Sequence, residues 1–486
     1  MNTLTPAMPR AATRASEFLP AASPIAYGLA VPQGLQRRLA RAWLWLGLLA
    51  LIGSGVFSIL LVVSRTPGVN QWLPVADFFR VALVVHVDLS VLVWFIAMAG
   101  LLWSLNGAAG SGRVARSAGW AAPALCATGA ALMSIAPFVE RAEPIMANYI
   151  PVLAGPVFLG GLAVFALGVG VLVLRSLWLA PKLGLRFDGG GALRFGLNAS
   201  VVATAVALGA FAWSLAAVPS TIAGKAYYEI AFWGGGHALQ FTWTLLMLVA
   251  WLWLASAIGA PVRLSPRVTI AMFALALVAV FVTPYAYLAH DIASVEHRNL
   301  LTWAMRAGGG PAIVPIGLAV VLALRAARAG TAAQRPLRAA LLASVLLFAA
   351  GGLIGVVIQG SNVRIPAHYH GCIVGVTLAL MGLVYHLLPR LGYGMPTSRT
   401  AALQPWVYGS GQLMHIVGLV WSGGYGVQRK VAGAEQVLRS TSEVAGMGLM
   451  GLGGLVAVVG GVLFIVVVVR ALRAAPRSTG PVGERA

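Results

Sequence analysis

Acidic residues are scarce in this chain. Twelve Asp and Glu stand against 33 Lys and Arg, and charged residues of both signs make up only 9% of 486. So few charges cannot clothe a soluble domain, and 59% hydrophobic residues with a mean hydropathy of +0.88 describe a polytopic membrane protein. Cysteine is nearly missing as well. Cys126 and Cys372 both lie in apolar runs, which excludes a CxxCH haem attachment and a thiolate metal site, so any haem must be held by histidine. No continuous apolar core precedes Ala40, so no cleavable signal peptide is evident. The net charge of +21 would point to nucleic acid in a soluble protein, but here the basic residues lie mostly in short loops between apolar runs. Topology accounts for the charge, and no nucleic-acid partner is expected.

What the chain has is span-length apolar runs, near 43-64, 78-105, 119-139, 149-178, 196-217, 228-257, 267-290, 300-325, 336-359, 366-389, 404-424 and 445-472. These predict an all-α membrane protein of twelve transmembrane helices occupying 43-472. A cytoplasmic tail of residues 1-42 precedes it, ending in the basic QRRLARAW at the lipid surface, and a second cytoplasmic tail, 473-486, follows. The stretches GGGH, AGGGP and GLGGL suit close helix contacts in lipid rather than phosphate loops.

The run PAHYHGCIVGVTLALMGLVYHLLPR, residues 366 to 390, holds two histidines one residue apart, His368 and His370. At about 100° per residue their imidazoles face opposite sides of one helix, a spacing that suits two flat cofactors flanking the span. A lone histidine at a helix end is ordinarily interfacial, but here others join the pair. His86 lies early in span 2, His237 about a third of the way into span 6, and His290 at the end of span 7, so alternating span direction puts all five in the outer half of the membrane. His386 and His415 fit less well and read as packing residues. His297, in SVEHRN, reads as solvated, and would extend a metal site only if the span 7 helix ran on for two more turns.

This ordered set of histidines on spans 2, 6, 7 and 10 resembles subunit I of the haem-copper oxidase superfamily, which includes terminal oxidases and nitric oxide reductases. ANYIPVL before span 4 and YHLLPRLG at the end of span 10 are similar to segments of the C-family oxidases and their reductase relatives. The resemblance implies a haem-copper oxidase subunit I-like bundle in a bacterial-type inner membrane. It implies that His86 and His370 ligate a low-spin haem of b type and that His368 is the proximal ligand of a high-spin haem. It further implies that His237 and His290 hold a non-haem metal, iron or copper, and that Arg429 and Lys430 contact haem propionates. Electrons would come from a donor subunit, cytochrome c or quinol.

The chain departs from this family in three ways. His290 is followed by Asp291 where two adjacent histidines are usual, so Asp291 is the expected third ligand, a harder donor that shifts preference toward iron. Phe241 stands four residues after His237 where the largest oxidase group has tyrosine, with Tyr285 and Tyr287 on span 7 as substitutes. The glutamate that well-known nitric oxide reductases carry on span 6 is also missing, Gln240 and Glu229 being the nearest polar residues. The acidic residues near spans, Asp77, Asp88, Glu140, Glu143, Glu229, Asp291, Glu296 and Glu443, all fall at the outer side, so protons are expected from there. The expectation is a catalytic subunit reducing a small gas, nitric oxide ahead of dioxygen. A dioxygen-reducing cytochrome c or quinol oxidase is the alternative within the family, and a cofactor-free transporter the alternative outside it.

Overall fold

In lipid a backbone has no water to bond, so apolar runs of this length close their hydrogen bonds within helices. The computed structural model describes residues 25–65, 78–108, 112–181, 187–328, 330–429 and 438–474. Lys430, Asp77, most of the expected amino-terminal tail and all but two residues of the carboxy-terminal one lie outside the described residues.

The helices in order are α1 (Leu35–Arg65), α2 (Phe78–Val87), α3 (Trp94–Asn106), α4 (Arg113–Val139), α5 (Pro156–Trp178), α6 (Gly189–Ala217), α7 (Gly224–Ala231) and α8 (Trp233–Ala257). There follow α9 (Pro266–Val280), α10 (Val282–Ala289), α11 (Val295–Gly308), α12 (Gly310–Ala326), α13 (Gln334–Val356), α14 (Arg364–Leu387), α15 (Arg399–Gly424) and α16 (Thr441–Arg473). A π-helical turn, Asp88–Val93, joins α2 to α3 in one continuous span. Two short strands, β1 (Pro144–Ile145) and β2 (Val152–Leu153), pair antiparallel between α4 and α5. The helix α1 begins at Leu35, so the expected tail boundary at 42 falls inside it and QRRLARAW is its first part.

Among the described residues eleven helical segments are long and apolar enough to cross a membrane, one fewer than expected. The segment that falls short is α15, which is long enough but is diluted by Arg399, Gln404, Ser410, Gln412, His415 and Ser422. It nevertheless runs antiparallel to α14: Tyr385, near the end of α14, bonds Gln404 at the start of α15, and the Val363 amide donates to the Val427 carbonyl at the other end. Contacts such as Arg429 with Asn148 and Ser361, and Trp233 with Arg298, gather one set of connections at one end of the bundle. The bond from Tyr27 to Leu264 and that from the Gly394 amide to Ala471 gather the other set. The most enclosed spans are α8 and α14, with 89% and 83% of their apolar windows buried, against 28% for Pro266–Ala289. The two central helices are thus the ones that carry His237 and the His368/His370 pair.

Candidate functional site

His86 sits in the last turn of α2 and reaches α1. Its Nδ1 lies 3.0 Å from the Ser54 carbonyl oxygen and 2.9 Å from each of the hydroxyls of Ser54 and Ser58. A carbonyl only accepts, so Nδ1 carries the proton and Nε2 keeps its lone pair, the tautomer of a histidine ligand. Both hydroxyls have other acceptors for their protons, the His86 and Ser54 carbonyls, and can receive from the ring. In the π turn that follows, Ser90 donates to the His86 carbonyl at 2.7 Å. The Asp88 carboxyl is buried there, with one oxygen lacking a partner among the described residues.

His368 and His370 face different neighbours, as their spacing predicts. His368 donates from Nδ1 to the Gly351 carbonyl of α13 at 2.7 Å, in room left by Gly355. His370 turns to α15, where its ring centroid is 4.8 Å from that of His415, too close for a macrocycle to lie between them. His86 is within electrostatic reach of His370. His415, expected to be a packing residue, is therefore the companion of His370, and its own Nδ1 is 3.0 Å from the Met450 carbonyl on α16.

His237 occupies the second turn of α8 and is almost fully buried. Its Nδ1 donates to the Trp233 carbonyl one turn earlier at 2.8 Å, and its Nε2 is 3.0 Å from the Tyr149 hydroxyl. The phenol therefore donates to Nε2, and the rings of Tyr149 and Trp233 flank the imidazole at 4.9 and 4.8 Å. Tyr149 descends from the loop between β1 and β2, and the GGGH stretch receives it. A Cβ at Gly236 would run into its ring, while one at Gly234 would meet the Tyr287 hydroxyl. Burial, with Glu229 nearby, pushes the Tyr149 phenol up, so it holds its proton. Of the expected substitutes, Tyr285 is exposed and Tyr287 bonds Ser214 at 2.6 Å, so the tyrosine at His237 is one that span periodicity does not point to. The signal available was the pairing of ANYIPVL with three glycines before a histidine.

Beside Tyr149, Asn148 donates to Glu229 at 2.5 Å, and Arg429 donates to Asn148 at 3.4 Å and to Ser361 at 3.3 Å. Arg429 thus fastens the β-hairpin loop to the mouth of α14.

The end of span 7 differs from expectation. The helix stops at Ala289, and His290 takes an extended conformation (φ −137°, ψ 147°). Asp291 is exposed, one carboxylate oxygen accepting from the Ala293 amide at 2.8 Å. Ser294 then caps α11, accepting from the His297 amide at 3.1 Å. That new start turns His297 inward. It is 1% exposed rather than solvated, its ring lies 4.7 Å from that of Tyr287, and its Nε2 has no partner among the described residues. Among the described residues no three His, Cys, Asp or Glu side chains stand close enough to hold one ion together as they are. The imidazoles of His86, His237 and His368, each with its Nδ1 proton on a backbone carbonyl, nevertheless fit metal ligation, as does the open nitrogen of His297.

Two of the carboxylates expected at the outer side have structural work. Glu140 accepts from the Val157 and Phe158 amides at 2.8 and 3.0 Å, neutralising the start of α5, and Glu443 takes the Arg439 amide at the start of α16.

Residues 38–465 match the family described as Cytochrome C and Quinol oxidase polypeptide I. An uncharacterized protein of Rickettsia prowazekii is 29% identical, covering 88% of this chain and 94% of its own. One of Aquifex aeolicus is 28% identical over 72% of this chain and 85% of its own. With a match running from the first turn of α1 into α16, the chain belongs to the cytochrome c and quinol oxidase polypeptide I family, the subunit I proteins of the haem-copper oxidases.

Proposed function

We propose that this chain is the catalytic subunit of a haem-copper respiratory enzyme that reduces a small gas, nitric oxide ahead of dioxygen. It would have twelve spans, counting α15, and both termini in the cytoplasm of a bacterial-type plasma membrane. The observation that carries the reading is the tautomer shared by His86, His237 and His368, whose Nδ1 atoms are bound to backbone carbonyls, so that each Nε2 has a lone pair for ligation, that of His237 now accepting from the Tyr149 phenol. His86 and His370 would hold a low-spin b-type haem, His368 a high-spin haem, and His237 with His290 a non-haem iron or copper. When bound, a bis-histidine haem supplies electron transfer without gas binding, and a five-coordinate haem beside a second metal supplies the open positions at which a diatomic gas is reduced.

The protein's own part is positioning and protons. The two faces of α14 hold His368 and His370 apart, and Tyr149 keeps a phenolic proton at the edge of the His237 site. Arg429 would contact a propionate from the rim, Lys430 beside it in the sequence. Nitric oxide is favoured by the outer carboxylates, Glu229 and Asp291 among them, which would deliver protons from the side on which electrons arrive from a donor subunit, cytochrome c or quinol. One observation favours dioxygen as a second reading, namely the phenol of Tyr149 in contact with a metal histidine.

Anaerobic turnover with nitric oxide, compared with dioxygen turnover on the same preparation, tests the choice when iron and copper are measured alongside an optical spectrum. Faster nitric oxide consumption by a protein with two haems is expected. A spectrum without haem bands would overturn the whole reading, and dioxygen turnover alone would select the second.

A further inference from the structure

We infer that His297, and not Asp291, is the third protein ligand of the non-haem metal beside His237 and His290. This rests on the reading above that such a metal is held there.

Neighbouring side chains in extended backbone point to opposite sides, and His290 is extended, so His290 and Asp291 cannot both turn toward His237. Asp291 is the one facing out. It is exposed and gives an oxygen to the Ala293 amide in a tight local turn. His297 is in the opposite situation. It is buried with Nε2 unpartnered among the described residues, and a polar nitrogen enclosed without a hydrogen bond costs free energy that a ligand would recover.

The elements around it hold His297 against the start of α8. Ser294 restarts the helix so that His297 falls in the first turn of α11. The next residue, Arg298, accepts at its carbonyl from Trp233 Nε1 at 3.3 Å and lays its guanidinium 5.0 Å from the Trp233 ring. Trp233 in turn packs its ring, tilted by 54°, against His237 at 4.8 Å. The other side of His297 rests on Tyr287, whose hydroxyl fills the notch at Gly234. The starts of α8 and α11 are thereby clamped together, with His237 one turn into the first helix and His297 in the first turn of the second.

His237 Nε2 has one in-plane lone pair, now taken by the Tyr149 phenol, so metal binding requires that phenol to let go. Three imidazoles are also a softer set than two imidazoles and a carboxylate, which removes the bias toward iron that Asp291 would bring and admits copper.

The test is the non-haem metal content per haem of the full-length membrane protein, purified with its haems, for wild type, His297→Ala, His297→Gly and Asp291→Asn. His297→Ala should lower the non-haem metal about tenfold or more with both haem spectra retained, and Asp291→Asn should keep it. Should His297→Ala also lose haem, His297→Gly grown and purified with added imidazole decides: recovery of metal supports the assignment, and no recovery overturns it. Full metal in His297→Ala, or loss confined to Asp291→Asn, overturns it too. Wild type lacking haem would instead sink the functional reading beneath it.

Discussion

The two halves of this bundle use polar side chains in opposite ways. Toward the middle and the far end, buried polar groups bond one another across helices. Trp103 donates to Ser200 at 2.9 Å, Thr204 and Thr242 meet at 2.9 Å, Asn106 donates to Asn198 at 2.8 Å, and Tyr385 donates to Gln404 at 2.9 Å. These pairs work as helix glue, and their partners are all protein. At the histidine end, the imidazoles of His86 and His368 are tied at one nitrogen and offered at the other, and His297 and Asp88 keep buried atoms with no partner among the described residues. The division is not perfect, since Trp94, Ser104, His386 and Gln412, toward the middle and the far end, also hold atoms with no partner among the described residues. It teaches that self-satisfied polar groups build the frame, whereas incompletely satisfied ones mark where a ligand completes it.

The largest expected effect attacks the offered nitrogens. His86→Ala or His370→Ala should remove the low-spin haem while the chain still inserts, and a six-coordinate low-spin spectrum kept by both variants would refute the pairing. His368→Ala should abolish carbon monoxide binding to the reduced protein, read as loss of the difference spectrum. Tyr149→Phe comes next. Without the phenol proton, turnover should fall by roughly 10²-fold at unchanged haem content, and an unaltered rate would make Tyr149 a packing residue. On the far side Thr204→Val should cost only about 0.6 kcal/mol in unfolding free energy with cofactors unchanged, as expected for one interhelical hydrogen bond in lipid. Loss of a haem in that variant would erase the distinction between the halves.

The smallest expected effect is none. If protons and electrons both enter at the histidine end, turnover in liposomes moves almost no net charge and should run equally fast with or without an uncoupler. A pump would labour against about 2.3 kcal/mol per charge at 100 mV. A membrane potential generated during turnover would mean that protons cross from the far side and would shift the preference to dioxygen.

How much of this was legible in the sequence varied with how local the cause was. The opposed faces of His368 and His370 follow from helical periodicity alone, and the span count from apolar run length, except where polar residues dilute α15. The fate of His297 depended on a single stop at His290 and a new cap at Ser294, and reading SVEHRN as a solvated loop, without that new helix, gave the wrong exposure. Tyr149 arrives from a loop, where no periodicity applies, and His415 meets His370 through the packing of α15 on α14. Tertiary contacts of this kind leave only faint traces, such as the glycines that make way for a ring.

The π turn Asp88–Val93 bears on how the span can change length. An α-helix advances about 100° per residue, so deleting one residue from an ordinary span would swing everything beyond it off its contacts. A π turn already stores one surplus residue. Removing a single residue within 88–93 should therefore return the segment to α-helical pitch while His86 keeps its bond to α1 and Trp94 keeps its place against Phe464. Among the described spans, this π turn is where the gene could lose a codon and the reading frame of side-chain contacts would survive.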